Sequence, residues 1–415
     1  MTLASRRMTK TVVVAGALDT KGREFAFVKE LIEAHGLSTL VVDFGVLGHP
    51  AIQPDISNAE VARAGGGDLQ QLRTSKNKAE AMKIMTAGLT DVVRDLHAKG
   101  RLQGILSMGG TGGTAIATAA MRALPVGVPK VMVSTVASGD ISAYVGSRDI
   151  TMIPSVVDVA GVNRISRLIY KNAAGAIAGM VMTEAATPEK ERPLIAASMF
   201  GNTTECVDQS CALLEKQGFE VLVFHATGTG GRTMKSLAED GLLAGIFDIT
   251  TTELADEVCG GVFSAGPQRM RMAAARNIPA VLAPGCVDMC NFWARNTVPA
   301  KYQSRNLYEW NPNVTLMRTN VEENARIGKM LATTANLAMG SVAVVVPLKG
   351  VSMLDSPGNA FWDPEADASC FRALKENLRG NIPFVEVDAN INDPQFAARA
   401  TEILLDMLER NDQSA

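Results

Sequence analysis

The stretch Ser107-Met108-Gly109-Gly110-Thr111-Gly112-Gly113-Thr114 follows the apolar run Gly104 to Leu106 and leads into the alanine-rich Ala115 to Arg122. Strand, glycine turn and helix start in that order form the repeating unit of a parallel α/β sheet. The same letters return in Ala226-Thr227-Gly228-Thr229-Gly230-Gly231-Arg232-Thr233, after Val221 to Phe224 and before Met234 to Glu239. Each copy gathers unpaired backbone N–H groups and the positive end of a helix dipole at one spot. Such a spot binds anions, most often phosphate or carboxylate. The alternative is a tight turn whose glycines serve only backbone conformation and packing.

Outward from the first turn, the βα alternation extends in both directions. Thr11 to Ala15 is a β-branched run ended by Gly16, and Arg23 to His35 carries apolar residues at helical spacing. Leu40 to Phe44 reads as the next strand. The segment His49 to Gln71 is polar and turn-rich, and Lys78 to His97 resumes a helical pattern. Strands at Lys130 to Val133 and Asp149 to Ile153, and a helix from Ser166 to Thr183, complete the first series. The polar Glu184 to Arg192 is the best linker, and the pattern restarts with a strand at Leu194 to Ser198. Further strands are expected at Glu220 to Phe224, Gly245 to Ile249, Ala280 to Ala283, Val314 to Met317, Ser341 to Val346 and Phe384 to Val387, with Gln395 to Arg410 as a closing helix. Ala15 to Thr20 and Met199 to Thr204 occupy equivalent places, as a duplication would leave them. The expected fold is α/β: two Rossmann-like, doubly wound parallel-sheet domains over residues 1–185 and 193–415, with a ligand cleft between them.

Size and composition fit this division. A chain of 415 residues exceeds what one core usually serves. With 47% hydrophobic residues, 20% charged and a formal net charge of −3, the composition argues against nucleic acid, which requires a basic face, as the main ligand, and the expected partner is a small molecule. No stretch approaches the ~20 apolar residues of a membrane helix. The short basic Met1 to Lys10 has no apolar signal core, which makes a cytoplasmic location the expectation. Six cysteines (Cys206, Cys211, Cys259, Cys286, Cys290 and Cys370) form no Cys-x-x-Cys pair and read as buried thiols. Cys286, which follows a Pro-Gly turn after a strand, is the weak candidate for a nucleophile.

The segment Gly16-Ala17-Leu18-Asp19-Thr20-Lys21-Gly22-Arg23-Glu24, joined to the turn at Gly109 to Thr114, resembles the Tm-1-like ATP-binding family, the bacterial UPF0261 proteins. Further matching segments are Ser134 to Asp140, Ser264 to Met270, Pro284 to Met289 and Pro347 to Gly350, so the similarity covers nearly the whole chain. The resemblance implies a two-domain α/β protein that binds ATP in its first half and forms dimers or higher homo-oligomers. It does not fix the reaction, and a counterpart of the plant relative's additional C-terminal domain is not expected in this chain.

Asp19, Thr20 and Lys21 lie just past the first strand, where α/β sheets bind ligands. Lysine supplies a point charge for phosphate, threonine a hydroxyl, and aspartate a group for ribose or a metal-bound water. The resemblance, matched residue by residue, implies that with Gly110, Thr111, Gly112, Gly113 and Thr114 they make the cradle for ATP and Mg²⁺. It is not a Walker loop, because the lysine precedes the second glycine. Ser138 and Gly139, in the loop after Lys130 to Val133, are further candidates, and adenine is expected near Val46 or Val136 to Val145.

The second half offers His225 as a general base at a strand end, Glu253 and Glu257 on one helical face, and Arg269 as a carboxylate or phosphate clamp. Asp288 is a partner for that arginine or a metal ligand, and Lys349 an amine at a sheet-edge turn. The sequence thus points to an ATP-binding enzyme acting on a small carboxylated metabolite by phosphoryl transfer or ligation. The alternatives are a hydrolase or C–C lyase of a keto or acyl acid without ATP turnover, and a nucleotide-responsive binding protein.

Overall fold

The computed structural model describes residues 9–183, 191–267, 269 and 277–412. Met1 to Met8, Glu184 to Lys190 of the expected linker, and Gln268 and Met270 of the Ser264 to Met270 segment lie outside the described residues. The chain divides into two units, Met1–Ala186 and Thr187–Ala415.

The first unit runs β1 (Thr11–Gly16), α1 (Leu18–Ala34), β2 (Ser38–Asp43), α2 (Asn58–Ala64), α3 (Leu69–Ser75), α4 (Lys78–Ala98), β3 (Gly104–Gly109), α5 (Thr111–Arg122), β4 (Lys130–Ser134), α6 (Ser142–Val145), β5 (Thr151–Pro154) and α7 (Arg164–Met182). Its strands are all parallel in the order β2-β1-β3-β4-β5. Strand alternation sorts the core. Val12 and Val14 pack with Phe25 of α1 and Tyr170 of α7 on one face, while Val13 and Ala15 meet Met85 and Leu89 of α4 and Ile116 of α5 on the other. Each fully buried valine contributes about 1.5–3 kcal/mol.

The polar stretch that reads as loop holds α2 and α3. A capping box starts α2, with Ser57 accepting from the Glu60 N–H, and Asp68 caps α3. Glycine lets α2 lie directly on α4: a Cβ at Gly88 would sit 1.8 Å from the Val61 carbonyl oxygen, and one at Gly65 2.1 Å from that of Ile84. This close approach fixes where the α3–α4 junction stands.

The second unit runs β6 (Leu194–Met199), α8 (Thr204–Lys216), β7 (Glu220–His225), α9 (Thr229–Asp240), β8 (Gly245–Thr250), α10 (Thr252–Cys259), β9 (Ala280–Gly285), β10 (Met289–Phe292), β11 (Leu307–Asn311), β12 (Val314–Arg318), α11 (Val321–Leu337), β13 (Val342–Pro347), α12 (Pro364–Asn377), β14 (Phe384–Val387) and α13 (Pro394–Asp412). Its main sheet is parallel in the order β14-β13-β9-β8-β6-β7. Val314 to Met317, expected in that parallel series, instead forms the centre of a small antiparallel sheet, β10-β12-β11.

Counted from the start of each unit, the main-sheet strands follow one winding, 2-1-3-4-5, with β14 added as a sixth in the second. That is a doubly wound order whose switch point lies between strands 1 and 3. The two glycine turns are therefore not equivalent. The first follows strand 3 of its unit and the second follows strand 2.

Candidate functional site

In the first unit the switch point lies between β1 and β3, and a cavity of about 510 Å³ opens beside it. Ala17, Asp19 and Thr20 reach it from the end of β1, Phe44 to Leu47 from the end of β2, and Gly112 and Gly113 from the start of α5. Leu72, Met82, Met85 and Ile116 make an apolar wall, and Arg73, Lys76 and Lys78 supply cations.

The start of α5 has no side-chain cap: its N-cap is Gly110 in an extended conformation (φ −79°, ψ −167°). Thr111, Gly112 and Gly113 occupy the first turn, where N–H groups have no carbonyl partner within the helix. None of the turn glycines has positive φ. A Cβ at Gly110 would lie 3.7 Å from Thr135 Oγ1, one at Gly112 3.7 Å from Met82 Sδ, and one at Gly113 3.9 Å from the Met108 carbonyl oxygen. Neither backbone conformation nor close packing explains these three glycines.

The start of α1, one strand away, is closed. Asp43 Oδ1 accepts from the N–H groups of Leu18 (3.0 Å) and Gly45 (2.8 Å), so its carboxylate fills the place an anion would take. Burial raises the pKa of Asp43 against the pull of those two donors. Asp19 Oδ2 accepts from Leu47 N–H (2.7 Å) and Gly48 N–H (3.0 Å), while its Oδ1 is buried without a partner.

The second glycine turn has the opposite character. Gly228 has φ +81°, and a Cβ at Gly230 would lie 1.8 Å from the His225 carbonyl oxygen. A carboxylate closes the amino end of α9: Glu253 Oε1 accepts from Gly228 N–H (2.7 Å) and Gly231 N–H (3.1 Å). Glu253 Oε2 accepts from Arg269 Nε (2.6 Å), and the other guanidinium nitrogens reach both oxygens of Asp248 at 2.6 Å. Ser198 Oγ donates to Asp248 in turn (2.7 Å). Glu253 is 1% exposed and Arg269 3%. Burial opposes the guanidinium charge, but Asp248 and Glu253 override it and raise the arginine pKa. These amides, expected to bind an external anion, are satisfied by the protein itself.

The chain matches the Uncharacterised protein family (UPF0261) N-terminal domain over residues 10–186 and its C-terminal domain over 192–408. It belongs to the UPF0261 family. A UPF0261 protein of Clostridium tetani is 48% identical over 404 residues, covering 97% of this chain and 100% of the relative. The ToMV resistance protein Tm-1(GCR237) of Solanum lycopersicum is 40% identical over 340 residues, covering 79% of this chain and 44% of the tomato protein. Among solved structures, UDP-N-acetylglucosamine 2-epimerase from Rickettsia bellii aligns over 98% of this chain and 99% of its own at 11% identity, with a TM-score of 0.23, too remote to inform the chemistry.

In this UPF0261 protein the cradle residues read from sequence divide. Asp19, Thr20, Gly112 and Gly113 line the cavity, with Gly110 and Thr111 beside them on the same turn. Thr114 is buried, its hydroxyl 2.7 Å from Ser134 Oγ, and belongs to the packing of α5 on β4. Lys21 does not line the cavity. It sits at a kink in α1 (φ −133°, ψ 18°) and its amine donates to the Val159 carbonyl. Ser138 and Gly139 are exposed in the loop after β4 and do not line it either. Val46 lies in the wall, unlike Val136 to Val145. Sequence reasoning missed Arg73, Lys76 and Lys78; the available signal was Lys76-Asn77-Lys78 between two helical patterns.

Beyond the Glu253–Arg269 pair, no bond among the described residues joins the second-half candidates to one another. His225 is exposed at the end of edge strand β7. Lys349 is exposed and pairs with Asp388 at 3.0 Å. Glu257 is exposed and bonded to Ser264, so it does not share the buried environment of Glu253. Asp288 pairs with Ser352 Oγ (2.8 Å) rather than with Arg269, and its Oδ1 is buried and unpartnered. Burial and the neighbouring Asp355 raise the Asp288 pKa. Cys286, at φ +57°, is fully buried, and burial followed by Asp288 raises its pKa well above that of an ordinary thiol. It is a protonated thiol, which is a poor nucleophile. Among the described residues no group of three or more His, Cys, Asp or Glu side chains forms a metal site, and no helix is long and apolar enough to cross a membrane.

Proposed function

We propose that the first unit binds ATP, with the phosphates at the amino end of α5 and the base against the apolar wall, and that the protein uses it on a small carboxylated metabolite. One observation carries this reading: at the switch point, a helix start without a cap, whose glycines have room for side chains, faces a cavity with both an apolar wall and a cationic rim. Anion binding at helix starts and ligand binding at switch points support it.

Mg²⁺ fits the same corner. It takes one or two carboxylates together with phosphate oxygens, and Asp19 offers a buried carboxylate oxygen with no other partner. When bound, the ion would neutralise phosphate charge. Asp19 would orient it while Gly112 and Gly113 N–H groups hold the phosphate oxygens, and Phe44, Val46 and Met82 would exclude water from the base.

The test is calorimetric titration of the full chain with ATP, with and without Mg²⁺, followed by assay for ADP in a mixture of carboxylic acids. Saturable binding that weakens in Asp19→Asn only when Mg²⁺ is present is expected. Absence of binding would overturn the reading. Glu253 and Arg269 are consumed in a buried ion pair, Asp288 is bonded to Ser352 and Lys349 to Asp388, which favours one second reading, a nucleotide-responsive binding protein. Binding without ADP formation would select it.

A further inference from the structure

We infer that Lys76 and Lys78 make this site count phosphates, favouring nucleoside di- and triphosphates over monophosphates. The inference rests on the nucleotide reading above and names the residues that set its selectivity. Asn77, between the two lysines, is the N-cap of α4, accepting from Glu80 N–H at 3.2 Å, so both lysines flank a fixed point on the cavity lip. Lys76 has φ +52°, the left-handed conformation that glycine or asparagine ordinarily fills at a helix end. Backbone strain of this kind concentrates at ligand sites.

The other cations nearby are already engaged. Arg73 donates through Nε to the Val46 carbonyl (2.8 Å) and through a terminal nitrogen to that of Gly48 (2.6 Å), and Lys21 is held by Val159. Lys76 and Lys78 are exposed and have no ion-pair partner among the described residues. Arg73, Lys76 and Lys78 against the single carboxylate of Asp19 leave the lining with about two net positive charges, and the α5 dipole adds roughly half a charge more. A monophosphate ester, about −2 at neutral pH, places all of that charge at one phosphate; seated at α5 it gives the lip lysines no phosphate of their own. A chain of two or three phosphates starting at α5 offers them one.

The experiment measures ATP, ADP and AMP affinities of the full chain in EDTA at fixed ionic strength, for the wild type and for Lys76→Gly/Lys78→Ala. Glycine accommodates φ +52° without strain, and a thermal melt confirms that the variant folds. ATP is expected to bind the wild type at least tenfold more tightly than AMP. In the variant that ratio falls to within threefold while AMP affinity stays within twofold. A ratio that survives the substitutions, or an equal loss for all three ligands, overturns the inference and leaves the nucleotide reading standing. If none of the three binds the wild type in EDTA the inference falls, and the nucleotide reading falls with it if Mg²⁺ does not restore binding.

Discussion

Gly110-Thr111-Gly112-Gly113 and Gly228-Thr229-Gly230-Gly231 contain the same kinds of residue and differ in everything around them. The first follows strand 3 of its unit, keeps negative φ at every glycine and has no cap. The second follows strand 2, needs glycine for φ at Gly228 and for space at Gly230, and is closed by Glu253. A Gly-Thr-Gly-Gly run thus specifies a strand-to-helix turn; whether its amides are available depends on a carboxylate elsewhere in the chain. In the second unit that carboxylate comes from α10, the helix that occupies the place of α5 in the common winding.

The largest expected effect breaks the closed turn. Arg269→Ala leaves Asp248 and Glu253 buried without their counter-ion, and should destabilise the second unit by ~3–5 kcal/mol. Denaturant unfolding followed by domain-resolved hydrogen exchange checks this, with the first unit unchanged. Next come matched alanines. Gly230→Ala places a methyl against the His225 carbonyl and should cost ~1–3 kcal/mol. Gly112→Ala meets nothing closer than 3.7 Å and should leave stability equal or raise it by ~0.4–1 kcal/mol, while ATP affinity falls at least tenfold. Equal destabilisation by the two would remove the distinction between the turns.

The pH dependence of the two units sharpens the contrast less strongly. In the second unit burial pushes Asp256 up to about 7 and raises Asp288 and Asp367 as well. Raised folded-state values mean that the native state holds extra protons. That stability is fully present below the unfolded carboxylate pKa near 3.8 and is lost as pH rises through about 7. The second unit should therefore melt at a lower temperature at pH 8 than at pH 5. Asp43 is the corresponding raised carboxylate of the first unit and gives a slope of the same sign. The smallest effect is expected for Lys21→Ala: ATP affinity within twofold of wild type, because the amine is held by Val159. A tenfold loss would return Lys21 to the cradle.

Much of the architecture was legible because buried parallel strands announce themselves as β-branched runs. Thr11 to Ala15, Lys130 to Val133 and Ser341 to Val346 all fall within or across observed strands. The antiparallel β10-β12-β11 was not, since β10 spans four residues and four of the five residues of β11 are exposed, too little for a period to show. Within the site, Asp19 and the α5 glycines were legible from their position after strands. Lys21 was misplaced because its direction depends on a local kink in α1 that spacing does not reveal. The Glu253 lock was hidden for another reason: donors and acceptor lie 22 and 25 residues apart and meet only through the tertiary fold.

The loop after β2 is held in place around the cavity by the protein's own side chains. Asp43 holds Gly45, Asp19 holds Leu47 and Gly48, and Arg73 holds the carbonyls of Val46 and Gly48. Three side chains from separate elements thus pin one wall without any guest. Little conformational entropy remains there for an arriving molecule to remove, so association with the proposed ligand would resemble entry into a rigid mould rather than the folding of a flap around its contents. The amides of Gly45, Leu47 and Gly48 should already resist deuterium exchange in the free protein and slow little further on saturation.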